Sequence, residues 1–201
     1  MRLVQTILPA LLCCAFAGCF QLNIPESSGN QTMQYTLALP SGFKAPETRV
    51  SIAEFVSESP AKFKMLSRKG TVLQFDTFSK WTQTPSVMVS SAFRKLYGAD
   101  NDDFSDTKYI LEGDIFTFER NLDSNTADLK VLYRLINRAD KKVIFCKELS
   151  SSIRLKGDTP EDFAAAMSQA VVDQAEKIKQ DISALKKTTL PEGKDKNTVN
   201  Q

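Results

Sequence analysis

The chain has 201 residues, 42% of them hydrophobic and 25% charged, with Lys and Arg exceeding Asp and Glu by two and with no histidine. These proportions are those of a folded globular domain, not of a disordered or integral-membrane chain, and the balanced charge gives no electrostatic footprint for nucleic acid. Without His there is no His-dependent triad, zincin motif or C2H2 zinc site, and no GxGxxG or GxxxxGK[ST] loop exists to cradle a phosphate, so composition disfavours an enzyme and no catalytic or metal residue is assigned.

Residues 1–18 read as a secretory signal peptide: Arg2, an apolar stretch from Leu3 to Cys14, then small residues. The stretch is shorter than the roughly 20 residues that span a bilayer, and Pro9 interrupts it. Two processing sites overlap. Ala15-Phe16-Ala17 is an A-x-A site for ordinary signal peptidase, while Phe16-Ala17-Gly18-Cys19 matches a bacterial lipobox, the favoured reading. Cys19 is then the expected lipid attachment residue, carrying a diacylglyceryl group and an N-acyl chain of the palmitate class, with no other cofactor. Phe20, where an inner-membrane retention signal would place Asp, leans towards the outer membrane. Residues 19–32 are assigned as a flexible tether, on the polar, aperiodic run Asn23–Thr32. The fourteen residue steps from Cys19 to Met33 reach at most about 45–50 Å when extended. Once Cys13 and Cys14 leave and Cys19 is acylated, Cys146 has no disulfide partner; an unacylated Cys19 would leave a Cys19–Cys146 bridge open. Cys146 itself reads as a small buried hydrophobe on a strand.

The domain proper is assigned to residues 33–187. Met33–Leu39 and Arg49–Val56 read as short strands; Met65–Arg68 and Val72–Asp76 flank a hairpin turn at Lys69-Gly70. Thr84 as N-cap, Pro85 in the first turn and Gly98 as stop bracket a helix with Val89, Phe93 and Leu96 on one face. Ala99–Asp106 reads as a solvated acidic loop, because an EF-hand would need a glycine and a glutamate where Ser105 and Leu111 stand. Three longer strands follow, Tyr109–Glu119, Leu129–Arg138 and Lys142–Leu155, the last two joined tightly as a hairpin. The phase change from Tyr109, Leu111 and Ile115 to Phe116 and Phe118 predicts a bulge near Gly113-Asp114. Thr159-Pro160-Glu161-Asp162 opens a helix of about 25 residues whose apolar stripe runs from Phe163 to Leu185. Residues 188–201 read as a disordered polar tail. The fold class is α/β of the α+β kind: a mixed, mostly antiparallel sheet flanked by helices in one domain.

The order of these features resembles the ABC-type transport auxiliary lipoprotein family, of PqiC/YmbA type. The resemblance runs from Tyr35 to Ile182 and rests on the lipobox, Tyr35-Thr36-Leu37, the strand ending near Phe55, Arg68, the aromatic segment ending in Lys80-Trp81, the Pro85-led helix, Ile110-Leu111-Glu112-Gly113-Asp114-Ile115, Phe118-Glu119 and the Phe163-Ala164-Ala165-Ala166-Met167 helix. It implies a lipid-anchored accessory protein at the periplasmic face of the outer membrane, less so the inner. Its implied partners are an MCE-domain periplasmic protein with its ABC permease and ATPase, in a system that moves lipids or other apolar solutes, and further copies of itself. Trp81 and Arg68 are the expected partner contacts, because Trp and Arg are enriched at interaction hot spots. The alternatives are a periplasmic carrier whose Phe55, Phe63, Phe75, Phe78, Phe116 and Phe118 line a lipid cavity, and a ring-forming structural or secretion lipoprotein. An enzyme built on Glu112 and Asp114 is the least favoured reading.

Overall fold

Period-two alternation over Leu129, Val131, Tyr133 and Leu135 sets the middle of a sheet, and the two stretches with helical periodicity supply its cover. The computed structural model describes residues 31–99 and 107–188, with side chains to residue 185. The signal peptide, Cys19 and all but the last two residues of the tether, most of the acidic loop and nearly all of the polar tail lie outside the described residues. The described residues form one compact unit.

The elements in order are β1 (Met33–Tyr35), β2 (Val50–Ile52), β3 (Val56–Ser57), β4 (Lys64–Lys69), β5 (Val72–Trp81), α1 (Pro85–Tyr97), β6 (Tyr109–Asn121), β7 (Thr126–Asn137), β8 (Val143–Arg154) and α2 (Pro160–Thr188). They make an α+β fold with one mixed eight-stranded sheet in the order β1-β5-β4-β6-β7-β8. The long ladders β6–β7 and β7–β8 are antiparallel. The other edge of β6 takes β2, β3 and β4 one after another, all parallel. The stretch expected as one strand over Arg49–Val56 is therefore two short strands. Between them Phe55 turns inward and packs on Phe93 and Tyr133 at ring-centroid distances of 5.5 and 5.9 Å. Its ring lies over Gly113, where a Cβ would stand 2.7 Å from Phe55 Cδ2. The expected Met33–Leu39 strand pairs only over Met33–Tyr35, and β5 runs on to Trp81.

Both helices lie on one face of the sheet. Alternate residues of β7 from Ala127 to Leu135 are fully buried against them, together with Leu111 and Ile115 of β6. The bulge falls between Ile115 and Thr117, so the extra residue is Phe116, two positions beyond the expected site. Gly113 stays in register and is small to admit Phe55. α1 begins and ends as its signals specify: Thr84 is extended (ψ 152°), its carbonyl accepts from Met88 N–H at 2.9 Å, and Gly98 is left-handed with φ 64°. The Thr84 hydroxyl makes no capping bond. Thr159 does cap α2: Asp162 N–H donates to Thr159 Oγ1 at 3.2 Å and Thr159 N–H donates back to Asp162 Oδ2 at 3.2 Å, a reciprocal capping box.

Two phenols and an amide fix α2 on the sheet. Gln174 is fully buried. Its Oε1 accepts from Tyr133 Oη–H at 2.8 Å, and its Nε2 donates to Leu129 O at 3.0 Å and Ser151 Oγ at 3.2 Å. Tyr97 Oη–H donates to Ala175 O at 2.8 Å. Burial pushes both phenols well above their ordinary pKa, so they remain donors at any physiological pH.

Candidate functional site

The sheet face away from the helices divides into two chemically different halves. On β6–β8 it is a field of satisfied ion pairs. Arg134 Nη1 and Nη2 donate to the two carboxylate oxygens of Asp114 at 2.7 and 3.1 Å, and Arg134 Nε lies 3.5 Å from Glu112 Oε2. Lys130 pairs with Glu148 at 3.0 Å. The carboxylates weighed as acid–base candidates are thus held by one guanidinium, whose own pKa the hydrogen bond to Asp114 raises.

On β4 and β5 the outer face is apolar and cationic. Alternation places Lys64, Leu66 and Arg68 of β4 there, opposite Lys80, Phe75 and Leu73 of β5. The turn before β4 adds Phe63. Phe63 and Phe75 wall an open groove of about 350 Å³ with Pro60 and Ala61, edged by Lys62, Lys64 and Lys80. Phe63 and Phe75 are about half exposed, as is Phe78. The Lys64 ammonium sits 5.7 Å from the Phe75 ring centroid, within cation–π range. Phe78 lies in a stretch where β5 leaves its register with β4, held by Asp76 Oδ1, which accepts from Phe78 N–H and Ser79 N–H at 2.8 and 2.7 Å. Beyond that irregularity β5 takes β1 on its outer side, Met33 opposite Ser79. Among the described residues, the outer side of β5 over Val72–Phe78 and that of β8 pair with no strand. An unpaired edge exposes a row of N–H and C=O groups able to take another strand.

The residues expected as partner contacts are placed differently. Arg68 is partly exposed: its Nε–H donates to Glu119 Oε1 and its Nη2–H to Oε2 at 3.1 Å. The hydrogen bond to Glu119 raises the Arg68 pKa, and Glu119 is 6% exposed. Trp81 is a correction. It is 2% exposed and packs edge-on to Phe118 and Phe163 at 5.2 and 5.5 Å. The β5 irregularity re-phases the strand so that Trp81 faces α2, leaving no exposed ring to meet a partner. Cys146 is likewise corrected: it is exposed on β8, because Phe145 and Lys147 take the helix side opposite Leu135 and Tyr133. Cys19 lies outside the described residues. The six phenylalanines do not converge on one cavity. Phe55 and Phe118 are core, Phe63 and Phe75 wall the groove, and Phe78 and Phe116 are exposed singly. The groove itself is a surface that reading by motif did not find; its signal is the run of Lys and Phe over residues 62–80.

Among the described residues no group of three His, Cys, Asp or Glu is arranged to hold a metal, and no helix is long and apolar enough to cross a membrane. No protein-family model matches the chain, and no curated protein matches it. Solved structures do. Protein XCC0632 from Xanthomonas campestris, of family DUF330, aligns at 14% identity over 79% of this chain and 99% of its own, with a TM-score of 0.64. An uncharacterized protein aligns at 11% identity over 76% of this chain and 99% of its own, also with a TM-score of 0.64. A Caulobacter crescentus CB15 protein assigned as a lipoprotein aligns at 15% identity over 70% and 93%, but its TM-score of 0.44 carries no argument. At these identities the likeness concerns the backbone alone: the α+β fold described above is the fold of the DUF330 structure.

Proposed function

We propose that this chain is a lipid-anchored, non-enzymatic accessory component of an ABC/MCE-type transport system. In this reading Cys19 carries the acyl chains at the periplasmic face of the outer membrane. The folded domain docks the transporter's MCE-domain periplasmic protein, and through it the ABC permease and ATPase, for intermembrane movement of lipids or other apolar solutes. The observation that carries the reading is the fold shared with the DUF330 protein over 79% of the chain.

What such a domain does chemically is bind. Its helix-covered face is consumed by its own core, so partners meet the open sheet face or the two unpaired edges. Edge pairing between copies gives a route to a homo-oligomer, since the unpaired stretch of β5 and the edge of β8 lie on opposite sides of the sheet and a head-to-tail contact closes into a ring if its rotation permits. The test is affinity purification of the chain, Cys19 intact, from detergent-solubilised membranes. Co-enrichment of the MCE protein, permease and ATPase over a Cys19→Ser control is expected. Equal recovery with both baits, or recovery of none of the three, contradicts the reading.

A further inference from the structure

The β4–β5 arm carries a charge pattern and an apolar surface that docking a transporter does not require. Residues 60–81 hold five Lys or Arg against a single Asp, in a chain whose overall basic excess is two. Arg68 is taken up by Glu119 and Asp76 by the backbone of its own strand. Among the described residues no carboxylate pairs with Lys62, Lys64 or Lys80, yet all three edge one groove walled by Phe63 and Phe75. Unpaired ammoniums around exposed aromatic rings are the pattern of an interfacial membrane contact: rings enter the headgroup–acyl boundary while flexible lysine stems keep their charges at the phosphates. The end of the chain agrees. The first strand in sequence is β1, which pairs with Ser79–Trp81 of this same arm, so Gln34 at the start of the folded domain lies opposite the groove residue Lys80.

The geometry points to the β4–β5 arm as a second membrane contact, in which Phe63 and Phe75 enter the interface of an anionic bilayer and Lys62, Lys64 and Lys80 engage lipid phosphates. The inference rests on the anchoring part of the proposed function. The acyl chains hold the domain near the bilayer, and this surface sets which face it turns towards the lipid. A protein docked on the same groove would account for the exposed rings but not for their lying beside the start of the folded domain.

The test removes the anchor so that only the surface is measured. The Cys19→Ser chain, secreted and cleaved after Ala17, is floated with vesicles of phosphatidylethanolamine and phosphatidylglycerol and, separately, of phosphatidylcholine alone. Binding to the anionic vesicles and little to the neutral ones is expected. Lys62→Gln, Lys64→Gln and Lys80→Gln together should lower partitioning by roughly fivefold per lysine, on the order of a hundredfold in all. Phe63→Ser and Phe75→Ser together should also lower it; the lysine variant, whose changes fall on the rim of the groove, keeps the test decisive should the serine variant unfold. No flotation with anionic vesicles, equal flotation with neutral ones, or unchanged flotation of the lysine variant overturns the inference. So does an oligomer that the serine variant dissociates without any vesicle binding, which would make the groove a protein interface. Because the chain tested is unacylated, failure leaves the anchoring at Cys19 unaffected.

Discussion

Replacing Trp81 by Ala separates a core role from a contact role. Trp81 is 2% exposed, and its indole meets Phe118 of β6 and Phe163 of α2 edge-on at 5.2 and 5.5 Å. Truncation deletes a full indole at the junction of β5, β6 and the first turn of α2. Buried aromatic-to-alanine changes cost about 3–5 kcal/mol, which includes the cavity left behind. The two edge-to-face contacts place this site towards the upper part of that range. For a domain of this size about 1 kcal/mol moves Tm by roughly 2–4 °C, so a fall of about 6–20 °C is expected. That is a large share of the about 5–15 kcal/mol that holds a typical domain folded. Because Trp81 is the chain's sole tryptophan, the assay is urea unfolding followed by circular dichroism, not intrinsic fluorescence. Trp81→Phe should recover about half of the loss. If Trp81→Ala lowers stability by less than about 1 kcal/mol while abolishing partner capture, the packing argument is wrong and the indole acts at a surface.

Three further substitutions probe separate contacts. Tyr133→Phe leaves Gln174 Oε1 without its donor in a fully buried site; a loss of about 1–3 kcal/mol by urea unfolding is expected, and no loss would mean that the amide finds another partner. Gly113→Ala sets a Cβ 2.7 Å from the Phe55 ring. It should cost about 1–3 kcal/mol through overpacking, with Phe55→Leu in the same chain recovering part of it; wild-type stability in the single variant would show that the ring moves freely. Arg68→Ala strips the nearly buried Glu119 of both its hydrogen bonds and should cost about 1.5–3 kcal/mol at neutral pH. Arg68→Lys should rescue little, since an ammonium cannot reproduce the two-pronged contact, and full rescue by Lys would refute the geometry.

The parts of this fold that sequence reveals are those with long, uninterrupted periodicity. The face Val89–Phe93–Leu96, the stripe from Phe163 to Ile182 and the alternation of β7 each repeat often enough to fix an element and its buried side. Thr159 and Gly98 mark helix ends by local backbone chemistry. The front half of the chain is harder to read because β1 to β4 are short and pair in parallel with distant strands. Nothing near Arg68 points to Glu119; their meeting depends on the β4–β6 register. Trp81 reads as a contact from residue type alone, and its burial depends on the irregularity around Asp76–Ser79, which changes the phase of β5. Phe55 leaves a strand pattern that its neighbours satisfy, drawn inward by the space above Gly113. Cys146, by contrast, could have been placed from parity, since Phe145 and Leu149 already define the helix side of β8. The groove was legible in composition, as Lys and Phe interleaved over residues 62–80, but its closure by Phe63 and Phe75 requires the β4–β5 hairpin.

The account turns on Cys19, and the most direct measurement is the intact mass of the N-terminal peptide from a detergent-extracted membrane fraction. The account predicts a peptide that begins at Cys19 and carries a diacylglyceryl group and an N-acyl chain. A peptide beginning at an unmodified Gly18 would contradict it, making the chain an unanchored periplasmic protein.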